Sequence, residues 1–133
     1  MTRRILVWTA QIAKHRRAKA LGVFFLDSTA MSGNKAFAPE MRNVLRYKNN
    51  ELDEEDYTKL YVAKMRHSVM TKTSEWEKLL GHDKFIIACY CRAGKFCHRH
   101  ILLDLFTKYA ATQDTEVTNM GEFLEDADLS KQP

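Results

Sequence analysis

Residues 84–106 read KFIIACYCRAGKFCHRHILLDLF and predict a strand, a short loop and a helix in succession. An apolar run, Phe85–Ala88, precedes a loop that contains Gly94, and apolar residues recur at helical spacing from Ile101 onward. The start of a helix presents unpaired backbone N–H groups and the positive end of the helix dipole, and both attract anions. The stretch therefore predicts an anion-binding loop between the strand and the helix.

Further apolar runs extend this unit into a sheet. Arg4–Thr9 and Val23–Leu26 predict two more buried strands beside Phe85–Cys91, and Glu116–Thr118 predicts a short last strand. Helical patterns alternate with these runs, and such alternation is typical of parallel sheets. We therefore expect an α/β fold of Rossmann-like, three-layer type, with a small, mostly parallel sheet of three to four strands and helices on both faces.

Helices are predicted from apolar spacing and from residues that favour helix ends. Asp53 is expected to cap a helix that continues to Val69, because three acidic residues follow it in the first turn. Ser74 and Glu77 match a capping box, which predicts a short helix that Gly81 stops. The remaining predicted helices cover residues 12–21, 40–47 and 97–112.

Length and charge predict one domain with an acidic tail. The chain has 133 residues, which suits a single α/β domain, and we expect that domain to cover residues 1–120. Residues 114–133 carry a net charge of −5, so the remaining residues carry +9 of the total of +4, and residues 121–133 are predicted to be a flexible tail. A basic body favours polyanionic partners, although an ordinary solvated surface explains the same pattern.

Apolar stretches and cysteine content predict the cellular compartment of the protein. No apolar run in the sequence approaches the ~20 residues that span a membrane. Three clustered cysteines do not make the even-numbered framework typical of secreted disulfide-rich proteins. We therefore expect a cytoplasmic protein with reduced thiols and no membrane partner.

Polar residues follow the apolar runs where the predicted strands end. Thr9 and Gln11 end the first strand, and Asp27 and Thr29 follow the second. Ligands of parallel sheets bind outside the carboxyl ends of the strands. We therefore expect these four residues to contact a ligand.

All three cysteines and two of the five histidines lie within residues 89–100. Cys97 stands at the predicted start of a helix, where the dipole favours a thiolate, and His98 can accept its proton. Cys91, at the end of the strand, is a second candidate nucleophile. We therefore expect Cys91, Cys97 and His98 to be catalytic. A further set of residues is expected to bind anionic oxygens of the ligand: Arg92, Gly94, Lys95 and Arg99.

Phosphatase, zinc and redox chemistry are three alternatives for the same cluster. Its loop is similar to the start of a protein-tyrosine-phosphatase loop, but Cys97 stands where that loop needs an arginine, which argues against ordinary phosphatase chemistry. A zinc site lacks a second closely spaced cysteine pair, and a redox pair lacks the C-x-x-C spacing. Cys89 is expected to be a small core residue. We therefore predict neither a metal nor a cofactor.

The same cluster resembles a known family. The segments Cys89–Cys91 and Gly94–Arg99 are similar to the signature of domain-of-unknown-function family 488, in its short phage and bacterial members, in which a strand, a cysteine and a short loop precede Cys-His-Arg on a helix. Weaker similarities extend through residues 5–109, at Val7-Trp8-Thr9, Leu26-Asp27-Ser28-Thr29, Phe37-Ala38-Pro39, Tyr57 with Tyr61, and Trp76. The resemblance implies an α/β domain, a site at Cys-His-Arg and a bacterial cytosol, phage-infected if the chain is phage-encoded. It implies no particular reaction.

Together these patterns predict a protein that binds a phosphorylated, nucleotide-like ligand at the strand–loop–helix site, Cys91–Arg99. We expect a Cys/His pair to process the ligand, as in a hydrolase or transferase with a cysteine nucleophile. Two alternatives are a non-catalytic phage or bacterial protein that sequesters nucleotides, and a nucleic-acid-binding accessory protein with a Cys/His zinc site. The expected partner is a nucleotide or another phosphorylated small molecule, with nucleic acid as the alternative.

Overall fold

The computed structural model describes residues 3–90 and 96–123, which form four strands and five α-helices. A short 3₁₀ turn, Ile12–Lys14, lies between the first strand and the first helix. In chain order the elements are β1 (Arg3–Gln11), α1 (His15–Ala20), β2 (Phe24–Asp27), α2 (Met41–Lys48), α3 (Glu54–Thr71), α4 (Thr73–Leu80), β3 (Lys84–Cys89), α5 (His98–Ala111) and β4 (Thr115–Glu122).

The four strands form one parallel sheet in the order β2-β3-β1-β4. Every strand therefore ends at the same edge, which brings Gln11, Asp27, Cys89 and Glu122 to one side of the sheet. Gln11 pairs directly with Cys89 in the sheet register. This arrangement confirms the predicted parallel α/β fold, and its carboxyl edge is where such sheets bind ligands.

Both faces of the sheet are covered, which gives the three predicted layers. Side chains alternate along β1, so Val7 belongs to one buried cluster and Trp8 to the other. Met65, Trp76 and Phe106 bring α3, α4 and α5 into the first cluster. The second cluster is smaller and includes Ala18 of α1, Val23, Ile86 and Phe123. Across the described residues, no helix combines the length and apolarity that crossing a membrane requires.

Two of the predicted helices differ from the observed ones. The basic segment predicted as one helix is divided into the 3₁₀ turn and α1. Asp53 caps α3 as predicted, because its side chain accepts from the N–H of Asp56 at 2.7 Å. The Ser74 cap is wrong, since α4 begins at Thr73 and only Lys72 separates it from the end of α3. The hydroxyl of Thr73, the first residue of α4, donates to the carbonyl oxygen of Val69 in α3. This hydrogen bond links the end of one helix to the start of the next.

The last strand is longer than predicted. β4 continues to Glu122, beyond residue 120, and the following Phe123 is 1 % exposed. Phe123 packs edge-on against Trp8, and its N–H donates to the Thr9 carbonyl oxygen at 2.7 Å. Gly121 and Glu122 therefore belong to the sheet and Phe123 to the packed core beside it, and the rest of the predicted tail lies outside the described residues.

Candidate functional site

The start of α5 faces the carboxyl ends of β2 and β3 and contributes three consecutive side chains to one buried cluster. Cys97 precedes the helix with an extended backbone, and His98 and Arg99 are its first two residues. Their exposed fractions are 3 %, 6 % and 0 %. Buried thiol, imidazole and guanidinium groups need partners, because burial without hydrogen bonds is costly. Those partners define the site.

The imidazole of His98 is held by Ser28. Nε2 of His98 lies 2.8 Å from the Ser28 carbonyl oxygen and 3.0 Å from Oγ of Ser28. The Ser28 hydroxyl donates its own proton to the Ala88 carbonyl oxygen at 2.8 Å. A carbonyl oxygen only accepts, so Nε2 of His98 must carry the proton. Nδ1 is then the unprotonated nitrogen, and it lies 3.7 Å from Sγ of Cys97.

This environment keeps His98 neutral. Burial lowers its pKa to about 4, and the positive charge of Arg99 adds to that effect, while the bond to the Ser28 carbonyl oxygen opposes it. The neutral tautomer presents its unprotonated Nδ1 to the neighbouring thiol, which is the position of a proton acceptor. Cys97 and His98 therefore form a thiol–imidazole pair with the geometry of a nucleophile and its base.

The second thiol of the cluster belongs to Cys89. Its sulfur and that of Cys97 lie at disulfide-bonding distance, although eight residues separate them, and their Cα atoms are 7.8 Å apart. The missing C-x-x-C spacing argued against a redox pair, yet β3 and the start of α5 bring these two sulfurs together. Cys89 is buried, as expected of a core residue, but its partners are another thiol and a guanidinium.

Arg99 joins Cys89 to the end of β4. Its Nη1 donates to Sγ of Cys89 at 3.0 Å, and its Nη2 donates to Oε2 of Glu122 at 2.9 Å. The other carboxylate oxygen of Glu122 accepts from the hydroxyl of Thr9 at 2.6 Å. A buried arginine paired in this way is held rigidly and places its charge beside a sulfur. The guanidinium thus bridges the Cys89 sulfur and the Glu122 carboxylate.

The loop after β2 is fixed by its own hydrogen bonds. The carboxylate of Asp27 accepts from the N–H of Thr29 and from the hydroxyl of Ser32, each at 2.9 Å. A Cβ atom at Gly33 would lie 2.7 Å from the Asp27 carbonyl oxygen, so this close approach requires glycine. The loop therefore presents the Ser28 carbonyl oxygen to His98 from a rigid support.

A pocket of about 300 Å³ opens directly onto the thiol–imidazole pair. Its walls are mostly apolar, and Thr29, Cys97 and His98 supply polar groups. The remaining lining residues are Ala30, Met31, Pro39, Met41, Val44, Leu45, Tyr47, Lys48, Tyr57, Tyr90 and Phe96. An apolar cavity with a few convergent polar groups is the usual form of a small-molecule site.

Three aromatic rings are clustered in the pocket wall. The ring centroid of Phe96 lies 5.3 Å from that of Tyr47 and 5.7 Å from that of Tyr57, and the two tyrosine rings are 5.5 Å apart. Tyr57 is buried in the main apolar cluster and also faces the cavity. Aromatic faces of this kind stack on planar, aromatic ligands.

The cluster also contains enough donors for a metal ion. One ligand atom each from Cys89, Cys97 and His98 lies within 4.8 Å of the others, and all three residues are buried. Two thiolates and an imidazole form a donor set that zinc accepts. The guanidinium of Arg99 lies 3.0 Å from Cys89 Sγ, however, and a fixed positive charge at that position opposes a divalent cation.

The structure brings together some predicted site residues and separates others. Cys97, His98 and Thr29 line the pocket, whereas Asp27 shapes the neighbouring loop and Thr9 contacts Glu122. Gln11 is half-buried at the end of β1 beside Cys89. Arg99 contacts Cys89 and Glu122 inside the fold. Four predicted residues, Cys91, Arg92, Gly94 and Lys95, lie outside the described residues.

Sequence reasoning missed residues whose roles depend on distant parts of the chain. Ser28 holds His98 from a position 70 residues away, and Glu122 holds Arg99 from a segment predicted to be a tail. Tyr47 and Phe96 line the pocket although they are 49 positions apart. The sequence contains one weak indication of this kind, because Ser28 stands between Asp27 and Thr29, which are both predicted to contact a ligand.

Comparison with known proteins identifies the family. A family model described as the active DUF488-N3 subclade, DUF488-N3a, matches residues 5–110. The chain therefore belongs to this family, which confirms the resemblance noted from the Cys-His-Arg segment. Neither the curated proteins nor the solved structures include a significant match to the chain.

Proposed function

We propose that the protein binds a phosphorylated, nucleotide-like ligand at the start of α5 and processes it with Cys97 as the nucleophile. The observation that carries this proposal is the unprotonated Nδ1 of His98, which lies 3.7 Å from Sγ of Cys97 at the wall of an apolar pocket. A thiol beside a neutral imidazole is activated for attack because the base can take its proton.

The ligand class follows from the walls of the pocket and from the start of the helix. The rings of Tyr47, Tyr57 and Phe96 suit the flat face of a nucleobase. The N-terminal end of a 14-residue helix favours the negative charge of a phosphate group. A ligand with a planar base and a phosphate would use both features. The basic predicted loop, with Arg92 and Lys95, is expected to add charge partners.

The reaction would be a substitution at an electrophilic carbon or phosphorus atom of the ligand. His98 takes the thiol proton, the Cys97 sulfur forms a bond to the electrophilic atom, and the bond to the leaving group breaks. The imidazolium returns its proton to the leaving group. Water then releases the bound group in a hydrolase, and an acceptor molecule does so in a transferase. The description of the matching subclade as active supports an enzyme over a pure binder.

Thermal unfolding with a panel of nucleoside mono-, di- and triphosphates tests the ligand class. We expect at least one member to raise the melting temperature by mass action, and inorganic phosphate to do so less. The same panel, followed by chromatography, tests turnover. Cys97→Ser is expected to keep the thermal shift and lose the turnover. Thr107→Ser, a hydroxyl change on the same helix outside the pocket, is the control and should keep both.

The outcomes separate the alternatives. A thermal shift without conversion of any nucleotide, in both native protein and Cys97→Ser, would favour the sequestering protein. A shift with single-stranded oligonucleotides, and none with free nucleotides, would favour the nucleic-acid-binding accessory protein. Absence of any shift with the native protein would contradict the proposed ligand class.

A further inference from the structure

We propose that Cys89 and Cys97 form a reversible disulfide driven by peroxide, in which Cys97 meets the oxidant and Cys89 is the resolving thiol. This inference goes beyond the proposed function and does not depend on the identity of the ligand. It gives a role to Cys89, which the substitution reaction does not use.

The first support is the placement of the two thiols. Their sulfurs lie at disulfide-bonding distance, and each belongs to a regular element: Cys89 ends β3, and Cys97 caps α5. β3 is hydrogen-bonded on both sides, to β1 and to β2. The two cysteines are therefore held close together by the strand and the helix that carry them.

The second support is the difference between the two environments. Cys97 lines the pocket, so a small oxidant can reach its sulfur through the cavity. Cys89 is not among the pocket-lining residues and lies behind Cys97, with Nη1 of Arg99 at 3.0 Å. Reactivity of a cysteine toward peroxide follows thiolate character and access. Access favours Cys97 as the oxidised thiol, and Cys89, which Arg99 holds beside it, is placed to attack the oxidised sulfur.

The chemistry balances with hydrogen peroxide as the two-electron oxidant. The Cys97 thiolate attacks one peroxide oxygen, the O–O bond breaks, and the products are a sulfenic acid on Cys97 and hydroxide. The Cys89 thiolate then attacks the Cys97 sulfur, the S–O bond breaks, and a second hydroxide leaves as the disulfide forms. With the two thiol protons, the two hydroxides become two water molecules. A dithiol such as dithiothreitol reverses the bond by exchange.

Formation of this bond would switch off the nucleophile. The sulfur that His98 activates is consumed in the disulfide, so substitution at the pocket stops until a reductant restores the thiol. Among the pocket-lining residues, Cys97 is the one that the bond alters covalently, so ligand binding and chemistry should respond differently to oxidation.

Peptide mapping of the native protein tests the proposal. Chymotrypsin cleaves after Phe85, Tyr90 and Phe96, so the three cysteines fall in three separate peptides. After treatment of folded protein with one equivalent of hydrogen peroxide and blocking of free thiols, we expect a linked pair consisting of residues 86–90 and the peptide that begins at Cys97. The yield should approach one bond per chain, and dithiothreitol should return both thiols without unfolding the protein.

Two variants provide the controls. Cys89→Ser should leave Cys97 without its resolving thiol, so labelling of sulfenic acid by dimedone should rise several-fold. Cys91→Ser should still form the linked pair. A link from Cys91 to Cys97, or two free thiols after peroxide, would overturn the proposal. A bond that dithiothreitol cannot reduce in the folded protein would make the disulfide structural and would equally overturn it.

Discussion

The Nε2 atom of His98 donates to the carbonyl oxygen of Ser28 at 2.8 Å, and this bond decides which nitrogen of the ring faces the thiol of Cys97. A backbone carbonyl at the carboxyl end of a strand thus fixes a tautomer at the start of a helix far away in sequence. The base in the proposed reaction depends on that bond as much as on the imidazole itself.

The stability of the protein should depend on pH through His98. Its pKa is about 4 in the folded protein and 6.5 ordinarily, so the unfolded chain binds more protons between these values. The contribution is complete above pH 6.5 and is lost as pH falls toward 4, by about 3 kcal/mol. Urea unfolding at pH 7 and pH 4 measures this effect. The free energy of unfolding should differ less between the two pH values in His98→Gln than in the native protein, by about 3 kcal/mol.

The exposed His67 of α3 offers a matched control for this experiment. His67→Gln should keep the pH difference of the native protein. If His98→Gln also keeps it, His98 does not have the buried, neutral state described above.

The ion pair between Arg99 and Glu122 should contribute strongly to folding. Glu122→Ala removes a carboxylate that pairs with a fully buried guanidinium, and loss of one partner of a buried pair costs about 3 kcal/mol or more. Glu116→Ala removes a carboxylate of the same strand from an exposed pair with Arg4, and should cost less than about 1 kcal/mol. If chemical denaturation shows the same loss of unfolding free energy in both variants, Arg99 does not form the buried ion pair with Glu122.

Phe96 should contribute to ligand affinity through its ring. Phe96→Ala removes one aromatic face from the pocket and should weaken binding of a nucleotide from the panel by roughly tenfold or more. Phe24→Ala serves as control, because Phe24 stacks on His82 outside the pocket. Calorimetry measures both affinities, and equal effects would place the ligand elsewhere.

Metal content distinguishes the thiol pair from a zinc site. The guanidinium beside Cys89 opposes a cation, so protein purified without chelator should contain well under one zinc per chain by elemental analysis. Stoichiometric zinc that is lost in Cys89→Ser, together with unfolding on chelation, would favour the accessory-protein alternative.

The sequence predicted the parallel α/β fold because that fold rests on local patterns. Apolar runs predicted the strands. The apolar run that ends at Ala88, the glycine at position 94 and the helical spacing from Ile101 predicted the strand–loop–helix unit. The partners within the site were not predictable, since they depend on which strands are neighbours. The sheet order places Ser28 and Ala88 together and brings Glu122 next to Thr9, and no short-range pattern encodes either contact.

The rate at which iodoacetamide alkylates Cys97 at pH 7 tests the central claim most directly. In the double variant Cys89→Ser/Cys91→Ser, Cys97 is the one remaining thiol of the chain. If Nδ1 of His98 accepts its proton, adding His98→Gln should lower the rate constant by roughly tenfold or more, while adding His67→Gln should leave it unchanged. The same slow rate with and without His98 would contradict an activated Cys97.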